Sequence, residues 1–326
     1  MAKISEANLK AAMQTYVASA KQANGTFTVT TDNVAGLLDK IGRTVTIDGL
    51  YQDKLPELEG TELPLGKTIE EYFMDLTLCE AYSNLADEMA KENVPTVPSF
   101  EDVAYNYTLG RQKISTTEPF GNLERAFNTE EGAANILTKF SERLQNSYDV
   151  CRYFSKKQLL GNVATKAIAA KSTVADVYKE IAIPTDAETS DAWIEEMKKA
   201  VEDASYAHEG GLGGAFIGAA PELTLFVLKG VMPTVSVKSL AAAFNKDELA
   251  IPAKIKVVED FGKITGEQSG KKVYAILADP RGIKLCNSYN VTRGAMNAEG
   301  DAAKFVRHYE DTAFISKYTF VRVFEG

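Results

Sequence analysis

The sequence comes close to one phosphate-binding motif. Gly66, Lys67 and Thr68 match the end of the pattern G-x-x-x-x-G-K-[ST], in which backbone amides and the lysine bind phosphate groups. The upstream glycine, Gly60, is one residue too far away, and the segment 53–59 before it is acidic and contains a proline. A buried strand that feeds such a loop would be apolar and free of proline. The sequence therefore gives little support to a nucleotide-binding enzyme that uses Lys67, which we keep as a less favoured alternative.

Two histidines, His208 and His308, limit the nucleophilic chemistry that is open to the chain. A serine or cysteine nucleophile would need one of them as its base, yet neither lies in a nucleophile motif. The glycine-rich segment 210–214 follows a predicted helix, and Phe216 stands where a dinucleotide-binding loop needs Gly or Ala. We interpret this segment as a flexible connection, and no catalytic residue is assigned.

The cysteines and carboxylates show no metal-ligand spacing. Cys79, Cys151 and Cys286 are far apart, which predicts three reduced and mostly buried thiols. No calcium-binding loop pattern occurs, and most paired carboxylates fall in predicted first helical turns. The sequence therefore predicts neither a metal nor a cofactor.

Composition indicates a folded chain of 326 residues, long enough for two domains or one large one. The hydrophobic share of 45% is that of a globular protein, and no apolar run reaches the roughly 20 residues of a membrane span. The net charge of −9 argues against a broad electrostatic grip on nucleic acid. We expect no membrane partner and no specific nucleic-acid binding.

The most regular element is a predicted helix over residues 129–160. Apolar residues recur at three- and four-residue steps, Asn128 with Glu131 forms a capping pair, and Gly161 is expected to end the helix. About 30 residues correspond to roughly 45 Å, far above the usual helix length. The polar face is basic toward the end of the helix, with Lys139, Arg143, Arg152, Lys156 and Lys157.

Before this helix, residues 51–65 form a charged segment with little apolar periodicity. Its acidic residues are Asp53, Glu57, Glu59 and Glu62. Long segments without a core of their own tend to be functional. Elsewhere we predict helices at 6–20, 32–42, 68–76, 172–181, 190–204 and 240–244, and strands at 103–109, 112–117, 223–228, 234–237, 255–258, 273–278 and 312–324. The predicted class is α+β.

Two segments carry a resemblance to a known family. Residues 37–42 read Leu-Leu-Asp-Lys-Ile-Gly, and residues 64–71 read Pro-Leu-Gly-Lys-Thr-Ile-Glu-Glu. Together they resemble the major capsid proteins of small short-tailed phages with protein-primed DNA replication. Residues 240–245 and 257–261 look like the helix and strand of that family's outer domain. The resemblance implies the Hong Kong 97-type capsid fold.

This fold implies a division of the chain into five parts. They are an N-terminal arm (1–31), an E-loop region (49–117), a spine helix (129–160), an axial domain (172–286) and a peripheral domain (32–48, 118–171 and 287–326). The implied function is a structural shell protein, which self-assembles through hexamers and pentamers into an icosahedral or prolate head around double-stranded DNA. The implied partners are further copies of itself and scaffolding and portal proteins, with assembly in the host bacterial cytoplasm and a final place in the virion capsid.

Charge complementarity suggests how copies would meet. We expect Asp53, Glu57, Glu59 and Glu62 of one subunit to lie over the basic helix face of a neighbour, with Lys139, Arg143, Lys156 and Lys157 as receivers. The flanking Leu55, Leu63 and Leu65 should add buried area. A nanocompartment shell of the same fold, which encloses enzyme cargo in place of a genome, is the other alternative.

Overall fold

A computed structural model describes the chain in segments. These are residues 53–63, 69–74, 100–105, 108–119, 130–174, 176–206, 208–212, 215–217, 222–232, 251, 253–297 and 302–326. The predicted elements at 6–20, 32–42, 234–237 and 240–244 lie outside them, as do residues 64–68 with the phosphate-loop motif.

The described residues form an α+β arrangement. The helices are α1 (Glu130–Ala170) and α2 (Ala187–Ala204). The strands are β1 (Ile69–Met74), β2 (Phe100–Tyr105), β3 (Thr108–Pro119), β4 (Tyr178–Glu180), β5 (His208–Gly210), β6 (Ala215–Ile217), β7 (Thr224–Leu228), β8 (Lys254–Val258), β9 (Val273–Ala278), β10 (Ile283–Asn297), β11 (Ala302–Ile315) and β12 (Val321–Glu325).

Helix α1 confirms the predicted long helix but extends ten residues beyond its predicted end. Its 41 residues span roughly 60 Å. Gly161 lies inside the helix and is fully buried, because its Cα faces the backbone of Phe261 and Lys263. The alanine-rich stretch 164–170, which lies beyond the predicted end of the helix, belongs to it, because alanine is the best helix former and Ala164 and Ala167 pack into the core.

A five-stranded sheet in the order β4-β12-β9-β7-β8 lies between the two helices. Strands β7 and β9 are almost entirely buried because both of their faces are covered. Phe226 and Ile276 pack with Leu160 and Val163 of α1 in one core cluster. Leu225, Val227, Tyr274 and Leu277 pack with Trp193, Met197 and Val201 of α2 in the other. The predicted strands at 223–228, 255–258 and 273–278 are confirmed.

A second sheet has three long antiparallel strands in the order β10-β11-β3. Its inner face packs on the first half of α1, where Tyr309 meets Tyr148 edge to face at 5.1 Å. Strand β10, the longest strand described, was missed from the sequence. Its polar residues hide the strand pattern, and its pairing with β11 is what holds it extended.

Two helix predictions were wrong. Residues 68–76 were predicted as a helix, but Ile69–Met74 is strand β1, which pairs antiparallel with β2. Residues 172–181 were also predicted as a helix, but a turn leads into β4, which pairs in parallel with β12. The glycine-rich segment was interpreted as a flexible connection, and its Gly210 belongs to the β5–β6 hairpin, with Gly211 in the left-handed region at φ 69°.

Helix α2 confirms the helix predicted from residue 190, with an earlier start. Asp186 caps it by accepting a hydrogen bond of 2.8 Å from the Thr189 N–H, and Thr189 bonds back to the Asp186 N–H. The pair fixes the first turn of the helix over the five-stranded sheet. The predicted strand at 312–324 is in fact the end of β11 and all of β12, which belong to different sheets.

Candidate assembly site

The charged segment 53–63 folds onto its own chain. Leu55 and Leu58 have no exposed surface and belong to the core cluster that includes α1. A single 3₁₀ turn, Pro56–Leu58, brings both leucines to that side. Beyond it, the Gly60 N–H donates to the Leu285 carbonyl at 3.0 Å and the Leu63 N–H donates to the Asn287 carbonyl at 2.9 Å. The segment therefore runs beside the start of β10.

This placement corrects two expectations from the sequence. The segment shares the apolar core of its own subunit, and Leu55 is buried there, so Leu55 cannot add area at a contact between subunits. Gly60 is needed for the close approach, because a Cβ at this position would come 2.2 Å from the Cys286 sulfur. Leu63 is half-buried, and Leu65 lies outside the described residues.

Five charged residues meet where this segment crosses α1: Asp53, Glu59, Arg152, Lys156 and Asp311, called here the charged cluster. The Lys156 side chain is 2% exposed, and its Nζ contacts a carboxylate oxygen of Asp53 and, at 2.7 Å, Glu59 Oε2. Arg152 pairs with the other oxygen of Glu59 and donates to the Leu285 carbonyl at 3.1 Å. Arg152 Nε also lies 3.5 Å from Asp311 Oδ1.

The expected role of Lys156 as an exposed receiver is thereby corrected. Its ammonium is buried and already has two carboxylate partners within its own chain, so the charge match expected between subunits is made inside one subunit by Asp53, Glu59 and Lys156. Burial favours this arrangement, because a desolvated lysine must be paired.

Asp311 forms the floor of the charged cluster. The Asn287 amide donates to its Oδ1 at 3.1 Å and also to the Tyr148 hydroxyl at 3.1 Å. Burial raises the pKa of Asp311, and this effect outweighs the lowering by Arg152 and by the Asn287 hydrogen bond. The Asp311 carboxylate therefore depends on Arg152 for much of its compensation.

A second buried arginine joins α1 to the three-stranded sheet. The Arg307 guanidinium lies 4.0 Å from the centre of the Tyr148 ring and donates to Gln145 at 2.7 Å and to Asn290 at 2.9 Å. Such a stacked, hydrogen-bonded arginine fixes geometry that a lysine would not reproduce. The orientation of the sheet relative to the helix is set here.

Glu57 makes a separate charged contact. Its carboxylate pairs with Lys254 and, at 3.0 Å, with Lys256, while its backbone carbonyl accepts from Lys284 Nζ at 2.8 Å. Burial acts to raise the pKa of Glu57, but the hydrogen bonds from Lys254 and Lys256 outweigh it and hold that pKa below its usual value of 4.5. Glu57 thus joins segment 53–63 to β8.

Replacing Glu57 with glutamine should make the free energy of unfolding depend less on pH in the acidic range. Because folding lowers the Glu57 pKa, its contribution is present above about pH 4.5 and is lost as pH falls through the folded pKa. Glu57→Gln should therefore be less stable than wild type at about pH 7 and differ less at about pH 3, as measured by urea unfolding. The exposed Glu62→Gln is the matched control. An equal difference at both pH values would contradict the assignment.

The remaining predicted residues divide into two groups. Lys157 contacts Asp260 at 2.5 Å and lies 4.8 Å from the centre of the exposed Phe154 ring, so it too has partners in its own chain. Glu62, Lys139 and Arg143 are exposed, and none of them has an ion-pair partner among the described residues. Of the eight predicted residues, only these three have a charge without an ion-pair partner in the described part of the chain.

The described residues hold no cluster of three or more potential metal ligands. Cys151 and Cys286 are free thiols, and Cys79 lies outside the described part of the chain. His308 lies on β11, where it pairs with Val291 of β10 and with Lys113 of β3. Neither described helix has the length and apolar character that a membrane crossing requires.

Sequence reasoning placed Arg152 on the basic helix face without naming it as a contact residue, and it missed Asn287, Arg307 and Asp311. A signal existed for Arg152, because Leu144, Tyr148, Arg152, Lys156 and Leu160 follow one another at steps of four and so share one helix stripe. Two cations between buried apolar residues on one stripe predict buried ion pairs. No comparable signal marks Asp311.

Comparison with known proteins identifies what this architecture builds. The family model described as Phi29-like phage major capsid protein matches residues 2–324. The chain belongs to the Phi29-like phage major capsid protein family. Among curated proteins, none matches it in sequence.

Solved structures agree on the fold. A chain in the structure of the head fiber and inner core protein gp22 of native bacteriophage P68 is 14% identical with a TM-score of 0.56, and 86% of each chain is covered. A chain in the capsid structure of Staphylococcus phage Andhra is 14% identical with a TM-score of 0.52, covering 92% of this chain and 93% of that one. A chain of Mycobacterium phage Adephagia is 12% identical with a TM-score of 0.53, covering 85% of this chain and 94% of that one.

The family assignment confirms the predicted Hong Kong 97-type fold and the predicted role as a structural shell protein of a bacteriophage capsid. Membership of a capsid family implies self-assembly into capsid oligomers and a place in the virion capsid. The charged cluster therefore lies inside one shell subunit, where its ion pairs hold segment 53–63 against helix α1.

Proposed function

We propose that this capsid protein closes, through hexamers and pentamers, into an icosahedral or prolate head that encloses double-stranded DNA, and that it performs no catalysis. The match of the family model to nearly the whole chain carries this proposal. Scaffolding and portal proteins would direct closure in the host cytoplasm, and DNA would be enclosed without sequence-specific contacts.

The domain division follows as part of the proposal. Helix α1 serves as the spine, and the β1–β2 hairpin belongs to the E-loop region. The three-stranded sheet is assigned to the peripheral domain, to which β3 is added from the range 49–117 because it pairs with β11. The five-stranded sheet with α2 supports an axial domain at 172–286, to which β12 is added because it pairs with β9 and β4. The N-terminal arm remains assigned to residues 1–31.

We propose contacts between subunits for Glu62, Lys139 and Arg143, the three predicted residues that have no ion-pair partner among the described residues. Glu62 extends from the anchored segment, and Lys139 and Arg143 lie on the exposed side of α1. Each exposed pair would contribute under about 1 kcal/mol. A closed shell repeats the contact many times, so weak pairs stabilise the particle while errors can still be corrected.

The proposal is tested by expressing the full chain, alone and with candidate scaffold, followed by size-exclusion chromatography and negative-stain microscopy. Uniform closed shells are expected. A compact monomer under all assembly conditions that turns over a nucleotide would overturn the proposal. Opening particles purified from infected cells separates a genome shell from a nanocompartment, since the first contains DNA and the second an enzyme.

A further inference from the structure

A cavity of about 380 Å³ opens at the end of helix α1, away from the charged cluster. Its described lining comes from three elements, which are the last turns of α1, the β5–β6 hairpin and the end of β11 with the turn that follows. The described residues that line it are Lys166, Ala169, Ala170, Leu212, Ile315 and Lys317. This volume lies in the range of pockets that hold small molecules.

The cavity lies where the chain passes from one sheet to the other. Strand β11 belongs to the three-stranded sheet and β12 to the five-stranded sheet, so the turn 316–320 connects the two. The β5–β6 hairpin packs closely on this turn, since a Cβ at Gly211 would lie 2.8 Å from the Lys317 carbonyl oxygen and 3.0 Å from that of Thr319. A molecule bound in the cavity would therefore contact the helix, the hairpin and the connecting turn together.

The lining combines apolar walls with positive charge. Ile315 is buried and Leu212 is half-buried, and both pack with the core cluster that includes α1. Lys166 and Lys317 are the charged residues of the described lining, which contains no carboxylate. Apolar surface favours a hydrocarbon group, and ammonium groups favour an anion. The lining therefore suits a molecule that has an apolar body and one negative group.

Lys166 differs from the other lysines of the same helix that are held against the protein. Lys156 and Lys157 each contact a carboxylate, whereas Lys166 has no ion-pair partner among the described residues. Lys166 is exposed to solvent, yet the protein around the cavity still desolvates its ammonium and lowers the Lys166 pKa. An anion that binds beside such a cation stabilises its charged form.

We propose that this cavity binds a small aliphatic carboxylate, whose charged group contacts Lys166. The alkyl chain lies against Ala169, Leu212 and Ile315 and is stabilised there by leaving water. The Lys166 ammonium donates a charge-assisted hydrogen bond to the carboxylate, and Lys317 adds positive charge to the same cavity. The site lies within one subunit, so the ligand stabilises the junction of the two sheets whether or not the subunit has assembled.

Octanoate is the probe, titrated by isothermal titration calorimetry into unassembled subunits of the full chain. Lys166→Met should weaken octanoate binding about tenfold or more, the usual effect of losing one hydrogen bond to a charged group. Lys166→Arg keeps the positive charge and should retain most of the affinity. Ala169→Leu fills the cavity without changing the charge and should weaken binding at least as much as Lys166→Met. The matched control is Lys171→Met, because Lys171 is an exposed lysine outside the cavity, and it should bind octanoate like wild type.

A second ligand separates the effect of the charge from that of the alkyl chain. Octylamine carries a similar chain with a positive group and should not bind, because like charges repel. Saturating octanoate should raise the melting temperature of wild type but not that of Ala169→Leu, since a ligand that binds only the folded state stabilises it. The proposal is overturned if wild type does not bind octanoate, if octylamine binds equally well, or if octanoate binding survives both Lys166→Met and Ala169→Leu. Because the subunits need not assemble, this result is separate from the test of the proposed function.

Discussion

Replacing Arg152 with methionine is expected to destabilise the folded subunit by about 3–5 kcal/mol, which is the usual cost of removing one partner from a buried ion pair. The Asp311 side chain is 2% exposed and would lose its nearest cation, while Glu59 would keep only Lys156. The Leu285 carbonyl would also lose a donor. The free energy of unfolding, measured in urea on unassembled subunits, checks this value.

A matched exposed site and a double variant make that result specific. Lys139→Met removes a cation from the exposed side of the same helix and should change the stability by less than about 0.5 kcal/mol. Adding Asp311→Asn to Arg152→Met should recover part of the loss, because the uncompensated buried charge is then gone. If Arg152→Met costs no more than Lys139→Met, the charged cluster does not hold the segment to the helix.

Segment 53–63 lies five residues before the β1–β2 hairpin in the sequence and is anchored to its own subunit. Two buried leucines, two backbone hydrogen bonds to the start of β10 and the charged cluster hold it at a fixed position on α1. In the proposed shell, a rigid base would let the hairpin reach a neighbouring subunit from a defined origin, which would reduce the ordering cost of each contact. Asp53 and Glu59, first interpreted as contact residues, instead pair with Lys156 inside their own subunit.

The elements that were predicted correctly are those whose signal is local. Helix α1 repeats apolar residues at helical steps over many turns, and β7 and β9 are short apolar runs of a sheet that is covered on both faces. Such patterns depend on the chain's own neighbours along the sequence. The capsid resemblance then supplied the fold that the local patterns could not assemble alone.

The elements that were wrong depend on distant partners. Ile69, Tyr72 and Phe73 have a spacing that suits a helix, yet pairing with β2 makes them a strand. Strand β4 exists because β12, more than 140 residues later, pairs with it. Asp311 is buried against Arg152 by the same kind of long-range contact, so no local pattern reveals it. Tertiary context overrides propensity at each of these places.

Gly161→Ala is expected to destabilise the subunit by at least about 1–3 kcal/mol, the range for overpacking a filled core. Helix propensity alone predicts the opposite sign, a gain of about 1 kcal/mol, because glycine is a poor helix former. A Cβ at position 161 would lie 2.2 Å from the Phe261 carbonyl oxygen and 3.1 Å from that of Lys263. These are backbone atoms, so relief requires moving the whole 261–263 segment away from α1.

The same comparison at an exposed site of the helix separates the two effects. Lys166 is exposed inside the same helix, so Lys166→Gly should be about 1 kcal/mol less stable than Lys166→Ala through propensity alone. If alanine destabilises position 161 while it is better than glycine at position 166, the close approach of the 261–263 segment explains the loss at position 161. A stabilised Gly161→Ala would mean that the 261–263 segment yields easily, and Gly161 would then mark a loose crossing in the middle of the long helix.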